Sequence, residues 1–138
     1  MAVHAALLRL STRGGGDIVD LTPGLAEVLR TSELDRGVVC VFVEGSTAAI
    51  TTMEHEPGGV EHLRAALERL VPADRDYAHN RLNGDDNAHA HLRASLVGPS
   101  VSVPLLGGRL VLGTWQQVVL LDFDTRPRER RVHVQVLG

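Results

Sequence analysis

The sequence predicts an α+β fold, a mostly antiparallel β-sheet with about three helices, in one domain spanning residues 1–138. Three observations carry this. β-prone segments open and close the chain while the helical patterns sit in the middle, an order that favours α+β over alternating strand–helix units. Aromatics are only 3% of the residues, and a core of Val, Leu, Ala and Ile suits a sheet covered by helices. The chain has 138 residues, 43% of them hydrophobic and 22% charged, which is enough for one self-sufficient core and excludes a disordered polymer.

Residues Val3 to Leu10 alternate loosely and read as a first strand. Gly14-Gly15-Gly16 breaks it, and Asp17 to Asp20 forms a short second strand. Thr22-Pro23 marks a helix start, with Thr22 as N-cap, running to about Arg30 with Leu25, Val28 and Leu29 inward. Val38 to Val43 is a continuous β-branched run and reads as a central buried strand, with Cys40 a buried, inert thiol within it. Ser46 to Met53 is the next β-prone segment. Val60, Leu63, Leu67 and Leu70 then recur at helical spacing between Gly59 and Val71, and Pro72 ends that helix.

Residues 73–86 are polar and turn-rich, a loop length that usually has a functional reason. A third helix is expected from about Ala88 to Leu96, closed by Gly98-Pro99. Strands follow at Ser100–Pro104, Arg109–Gly113, Thr114–Phe123 and Arg130–Leu137. The last is the cleanest, with Val132, Val134 and Val136 on one face and Arg131, His133 and Gln135 on the other.

Charge and composition exclude several function classes. A net charge of −3 and the scarcity of rings give no electrostatic or stacking basis for binding nucleic acid, nor for an anionic membrane. No apolar run approaches a bilayer-spanning length, and the N-terminus lacks a signal-peptide pattern, so a cytoplasmic location is expected. The single cysteine makes no internal disulfide.

Chemistry concentrates in a few places. His79, His89 and His91 lie within thirteen positions, beside Asp85, Asp86 and Asn87. Imidazoles with carboxylates suit a divalent metal, and they equally suit a solvated loop carrying surface histidines. If 87–92 is regular helix, His89 and His91 point about 200° apart and cannot share an ion. A three-histidine site therefore requires an irregular chain through His89.

Glu54 and Glu56 flank His55 at a strand end, as a ligand or base pair or simply as a charged terminus. Arg126, Arg128, Arg130 and Arg131 form either an anion clamp or a charged turn paired to Glu129, Asp122 and Asp124. Trp115, with Gln116 and Gln117, is either a pocket wall or a core residue at a strand bend. No phosphate-binding glycine loop, nucleophile elbow or CxxC pair is present.

At these residues the sequence resembles the YjbQ-like family, also known as secondary thiamine-phosphate synthase enzymes. Four blocks carry the resemblance: GSTAAITTMEHEP from Gly45 to Pro57, YAHN from Tyr77 to Asn80, the run from Asn87 to Gln117, and RPRERRV with the terminal Leu-Gly. It implies a compact α+β homotrimer with its site near subunit boundaries. On this resemblance His79 and His91 match the family's histidines, Glu54 its strand-end acid, Gln116 its strand glutamine, and Arg128 and Arg130 its arginine pair.

The implied reaction joins a pyrimidine diphosphate to a thiazole phosphate and releases pyrophosphate. Glu54 and Gln116 are then the catalytic candidates, Arg128, Arg130, Asn87 and Trp115 the substrate contacts, and His79, His89 and His91 the ligands of a zinc or magnesium ion. A metabolite-binding protein with a structural metal is the alternative. Many relatives carry a histidine where this chain has Gly45, which makes His89 the expected replacement ligand.

Overall fold

A computed structural model describes all residues, Met1–Gly138. Twelve elements follow in order: β1 (Val3–Thr12), β2 (Asp17–Asp20), α1 (Thr22–Ser32), β3 (Arg36–Val43), β4 (Ala48–Met53), α2 (Pro57–Leu70), α3 (Ala78–Asn83), α4 (Ala88–Val97), β5 (Ser100–Leu106), β6 (Arg109–Leu110), β7 (Gln117–Asp122) and β8 (Arg128–Leu137). The strands form two sheets, in the orders β1-β8-β3-β5-β6 and β2-β7-β4. Every pairing is antiparallel, as expected from the meander.

The core follows from strand periodicity. Val39, Val41 and Val43, Val103 and Leu105, and Val132, Val134 and Val136 project from the large sheet onto Ala48, Ile50, Val118 and Leu120 of the small one. Leu21, Leu25, Val28 and Leu29 of α1 and its entry close this layer. The other face of the small sheet (Ala49, Val119, Leu121) is covered by Leu67 of α2 and by Ala90 and Ala94 of α4. Strand β7 is thus buried on both faces, which is why Val118–Leu121 is apolar without alternation.

Several expectations are corrected. Strand β3 is central in its sheet, but only one of its faces is covered: Val38 and Phe42 are exposed and Cys40 is half-buried. Thr22 is not the N-cap of α1. Leu21 holds that position without a side-chain bond, and the Thr22 hydroxyl instead accepts from the Val118 N–H at 3.0 Å.

Helix α2 starts at Pro57 because Glu56 caps it, its carboxylate accepting from the Gly58 and Gly59 N–H groups. Its last expected core residue, Leu70, faces solvent, and Val71 is buried in its place. Strand β7 begins at Gln117 rather than Thr114, and β8 extends back to Arg128. A fourth helix, α3, forms inside the segment expected to be loop. No helix is long and apolar enough to cross a membrane.

Candidate functional site

Helices α3 and α4 pack against each other and bring His79 and His91 together, with ring centroids 4.7 Å apart and planes tilted by 57°. Both rings are half-buried. His79 Nε2 lies 3.0 Å from Asn87 Oδ1 and 3.8 Å from an Asp85 carboxylate oxygen. Asn80 accepts the Ala88 N–H at 3.0 Å, which ties the start of α4 to α3 and holds the pair in place.

His89 does not join them. Helix α4 is regular from Ala88, so His89 projects to the opposite side from His91, as the helical repeat requires. It is only 7% exposed, and its Nδ1 is buried without a hydrogen-bond partner. Burial, followed by the nearby Arg93 charge, lowers its pKa, against the opposing pull of Glu68, Asp86 and Asp124. The neutral form is favoured.

The three imidazoles therefore do not meet at one point, and no group of three or more His, Cys, Asp or Glu side chains is arranged to hold a metal. The donor set does not fit a resident zinc or magnesium site, and His89 does not replace the histidine absent at Gly45.

Next to the histidine pair lies a buried polar network. Arg130 donates to both carboxylate oxygens of Asp122 at 2.8 Å and to the Thr47 hydroxyl at 2.8 Å. Asp122 also accepts from the Thr12 hydroxyl and from the Asp124 N–H. Asp124 accepts the Thr47 hydroxyl at 3.1 Å and pairs with Arg128 at 3.2 Å. Burial alone would raise the Asp124 pKa. The Thr125 N–H, Thr47, Arg128 and the Asn87 side chain outweigh burial and lower it below the ordinary carboxylate value.

Asn87 thus links the histidine pair to the acid–arginine network. The backbone that presents these acids is clamped by the glycine run. Gly15 and Gly16 donate to the Asp124 and Asp122 carbonyls at 2.6 and 2.9 Å, and a Cβ on Gly14 would meet those of Arg126 and Asp124 at 2.6 and 2.7 Å.

The arginine expectations divide accordingly. Arg128 is half-exposed and free to meet a ligand. Arg130 is 3% exposed and most of its donors are spent on Asp122 and Thr47, so it holds the site together from beneath. Asp122 and Asp124 are the partners expected for a charged arginine turn, whereas Thr47, central to the network, was not singled out by sequence. The apolar alternation that places Arg130 in line with Val132, Val134 and Val136 was the available signal for a buried ion pair.

Glu54 and Gln116 lie elsewhere. In the β4–β7 register Ala48 faces Asp122 at one end and Met53 faces Gln117 at the other. Five residue steps separate the ends by about 17 Å. Glu54 lines a cleft of about 460 Å³ with Met53, His62 and Leu63. Gln116 lines a separate cavity of about 350 Å³ with Arg109 and Leu110, its amide donating to Thr52 at 3.1 Å and accepting from the Gly113 N–H at 3.0 Å. Trp115 is 73% exposed, so it is no core residue, and it does not line that cavity.

The family model described as UPF0047 protein YjbQ-like matches residues 6–138. The chain belongs to the YjbQ family. A UPF0047 protein of Archaeoglobus fulgidus is 43% identical over 130 residues, covering 94% of this chain and 98% of the relative. One of Methanothermobacter thermautotrophicus is 38% identical over 138 residues, covering 100% and 94%.

Among solved structures, a YbjQ-like protein of unknown function from Sulfolobus solfataricus superimposes with a TM-score of 0.89 at 32% identity, covering 99% of both chains. A YjbQ/UPF0047 family protein from Clostridium acetobutylicum gives 0.87 at 31% identity, covering 96% of this chain and 99% of that one. The α+β architecture of two antiparallel sheets and four helices is that of the YjbQ family.

Proposed function

We propose that the protein is an enzyme acting on phosphorylated small molecules, and that its reaction is the one the family resemblance implies. The observation that supports this is the convergence of the His79–His91 pair with Arg128, through Asn87 and Asp124, at one end of the small sheet. In that reaction a thiazole nitrogen attacks the pyrimidine methylene carbon. The C–N bond forms, the C–O bond breaks, and the electron pair leaves with pyrophosphate. Arg128 takes up the diphosphate charge. One imidazole of the pair delivers a proton to the departing oxygen.

The divalent metal remains in the proposal only as an ion carried by the diphosphate itself, with His79, His89 and His91 not its cage. Glu54 and Gln116 lie at the end of β4 and β7 away from Asp122, about 17 Å along the strands, and reach the same substrate only across a subunit boundary. A cytoplasmic homotrimer is therefore part of the proposal. The apolar stripe along the outer side of β3 supports it, since Phe42, 42% exposed, stands there with Val38 and the half-buried Cys40, beside His133 and Gln135 of β8.

The test is pyrophosphate release from the pyrimidine diphosphate and thiazole phosphate with magnesium present. His91→Ala is expected to reduce it on the order of a hundredfold or more. Equal release by wild type and His91→Ala refutes the reading. Saturable binding of either compound without turnover would instead support a binding protein.

A further inference from the structure

The two imidazoles of the site are not equivalent. His79 has a polar neighbour at each nitrogen. Its Nε2 lies 3.0 Å from Asn87 Oδ1 and 3.8 Å from an Asp85 carboxylate oxygen. Its Nδ1 lies 3.4 Å from Asn83 Nδ2, which also donates to the His79 carbonyl at 3.0 Å. The His91 ring makes no hydrogen bond within the chain, yet its nitrogens reach solvent, because the one buried side-chain nitrogen without a partner is His89 Nδ1.

Which atoms face His79 is fixed by groups that can only accept. A carbonyl and a carboxylate have no hydrogen to give. The Asn83 amide turns its N–H end to the His79 carbonyl, so the same nitrogen presents a hydrogen to Nδ1. The Asn87 side chain stabilises the charged form of Asp124, which an amide does only through its N–H end, and its oxygen is left for His79. Asn87 is itself buried, so water does not compete for these contacts. Nε2 thus meets two acceptors and Nδ1 meets a donor. An imidazole so surrounded carries its hydrogen on Nε2 and a lone pair on Nδ1.

We propose that His79 is locked as the Nε2–H tautomer and serves as a positioning residue, and that His91 is the catalytic imidazole that gives its proton to the departing oxygen. This deepens the proposed function and rests on that reading for the reaction. Giving up the Nε2 hydrogen would turn a lone pair of His79 toward Asn87 Oδ1 and Asp85, so that hydrogen stays in place. His91 has no such tie. In the step its N–H bond breaks, the electron pair stays with the ring, and an O–H bond forms on pyrophosphate; solvent returns the proton. The tilted contact of the rings, with centroids 4.7 Å apart, lets the fixed His79 hold His91 in place. Asn87 has no proton to relay, so its link to Asp124 sets geometry only.

The first test is the long-range proton–nitrogen NMR spectrum of the histidine rings in the intact protein, in mildly alkaline buffer. A single tautomer with hydrogen on Nε2 is expected for His79. Hydrogen on Nδ1, or an average of the two forms, overturns the proposal whatever the activity. The second readout is pyrophosphate release. His79→Ala is expected to lower it on the order of tenfold, and His79→Gln to recover most of that loss, because glutamine can donate an amide N–H to Asn87. His91→Gln is expected to remain as low as His91→Ala, on the order of a hundredfold below wild type. Rescue by glutamine at His91, or failure of rescue in a folded His79→Gln, overturns the division of roles. If His79→Gln does not fold, the wild-type spectrum and His91→Gln decide. An Nε2–H spectrum in a wild type that releases no pyrophosphate would instead strike the proposed reaction, and with it the role of His91, while the locked His79 stands.

Discussion

Replacing Arg130 with Met tests the central energetic claim about the site. Arg130 is 3% exposed and Asp122 0%, and two hydrogen bonds of 2.8 Å join them. Arg130→Met fills much of the same volume but leaves the Asp122 carboxylate buried with only the Thr12 hydroxyl and the Asp124 N–H as partners. An uncompensated buried charge of this kind costs about 3–5 kcal/mol. Against a total stability of about 5–15 kcal/mol, that lowers the melting temperature by roughly 10–20 °C.

Urea unfolding is the assay. The midpoint is expected to fall with the slope unchanged. The double variant Arg130→Met with Asp122→Leu is expected to recover most of the loss, since an apolar pair can replace a buried ion pair. A loss below about 1 kcal/mol in the single variant, or no recovery in the double, refutes the account of Arg130 as the residue that holds the acid network in place.

Further outcomes follow from individual side chains. His89→Leu is expected to keep or raise stability at pH 8, by about 1 kcal/mol, because it removes an orphaned buried nitrogen; a loss above about 1 kcal/mol would mean that Nδ1 has a partner after all. Because the His89 pKa is lowered on folding, the unfolded chain takes up a proton below pH 6.5 that the buried ring refuses. Stability therefore falls as pH drops from 6.5 toward the folded value, and His89→Leu should flatten that slope relative to wild type. Asp124 contributes with the same sign at lower pH: its lowered pKa gives stability that is present above the ordinary value of 3.8 and lost as pH falls through its folded value. Asp124→Asn is expected to cost about 1–3 kcal/mol at neutral pH and to weaken the acid dependence, read by thermal melts across pH. If the proposed trimer forms through this sheet face, Phe42→Glu is expected to shift the mass measured by sedimentation equilibrium from three chains to one; a wild type that sediments as one chain refutes the trimer, and a trimer unchanged by the substitution moves the interface off this face.

How much of this was legible depended on whether a local period carried the information. The alternation of β8 placed Val132, Val134 and Val136 inward, and the structure keeps that register against β1 and β3. The run in β3 was legible as a strand, but a β-branched run cannot report whether its second face is covered, and here it is not. Helix α3 stayed hidden because six residues with none buried leave no apolar stripe.

For the site, helical geometry was sufficient to separate His89 from His91 once the helix was known to start at Ala88. What local pattern could not show was which imidazole His91 meets, because that contact is made between two helices. The strand period also carried one consequence that family likeness obscures. Arg130 shares the parity of Val132 and so belongs to the core face, where a cation must find a carboxylate. Asp122, at the end of the doubly buried β7, is the acid that the antiparallel packing presents to it. A guanidinium fixed this way packs against Gly45, where a Cβ would lie 2.8 Å from Nη1 and so has no room. Gly45 is therefore the position at which the chain makes room for the buried guanidinium of Arg130.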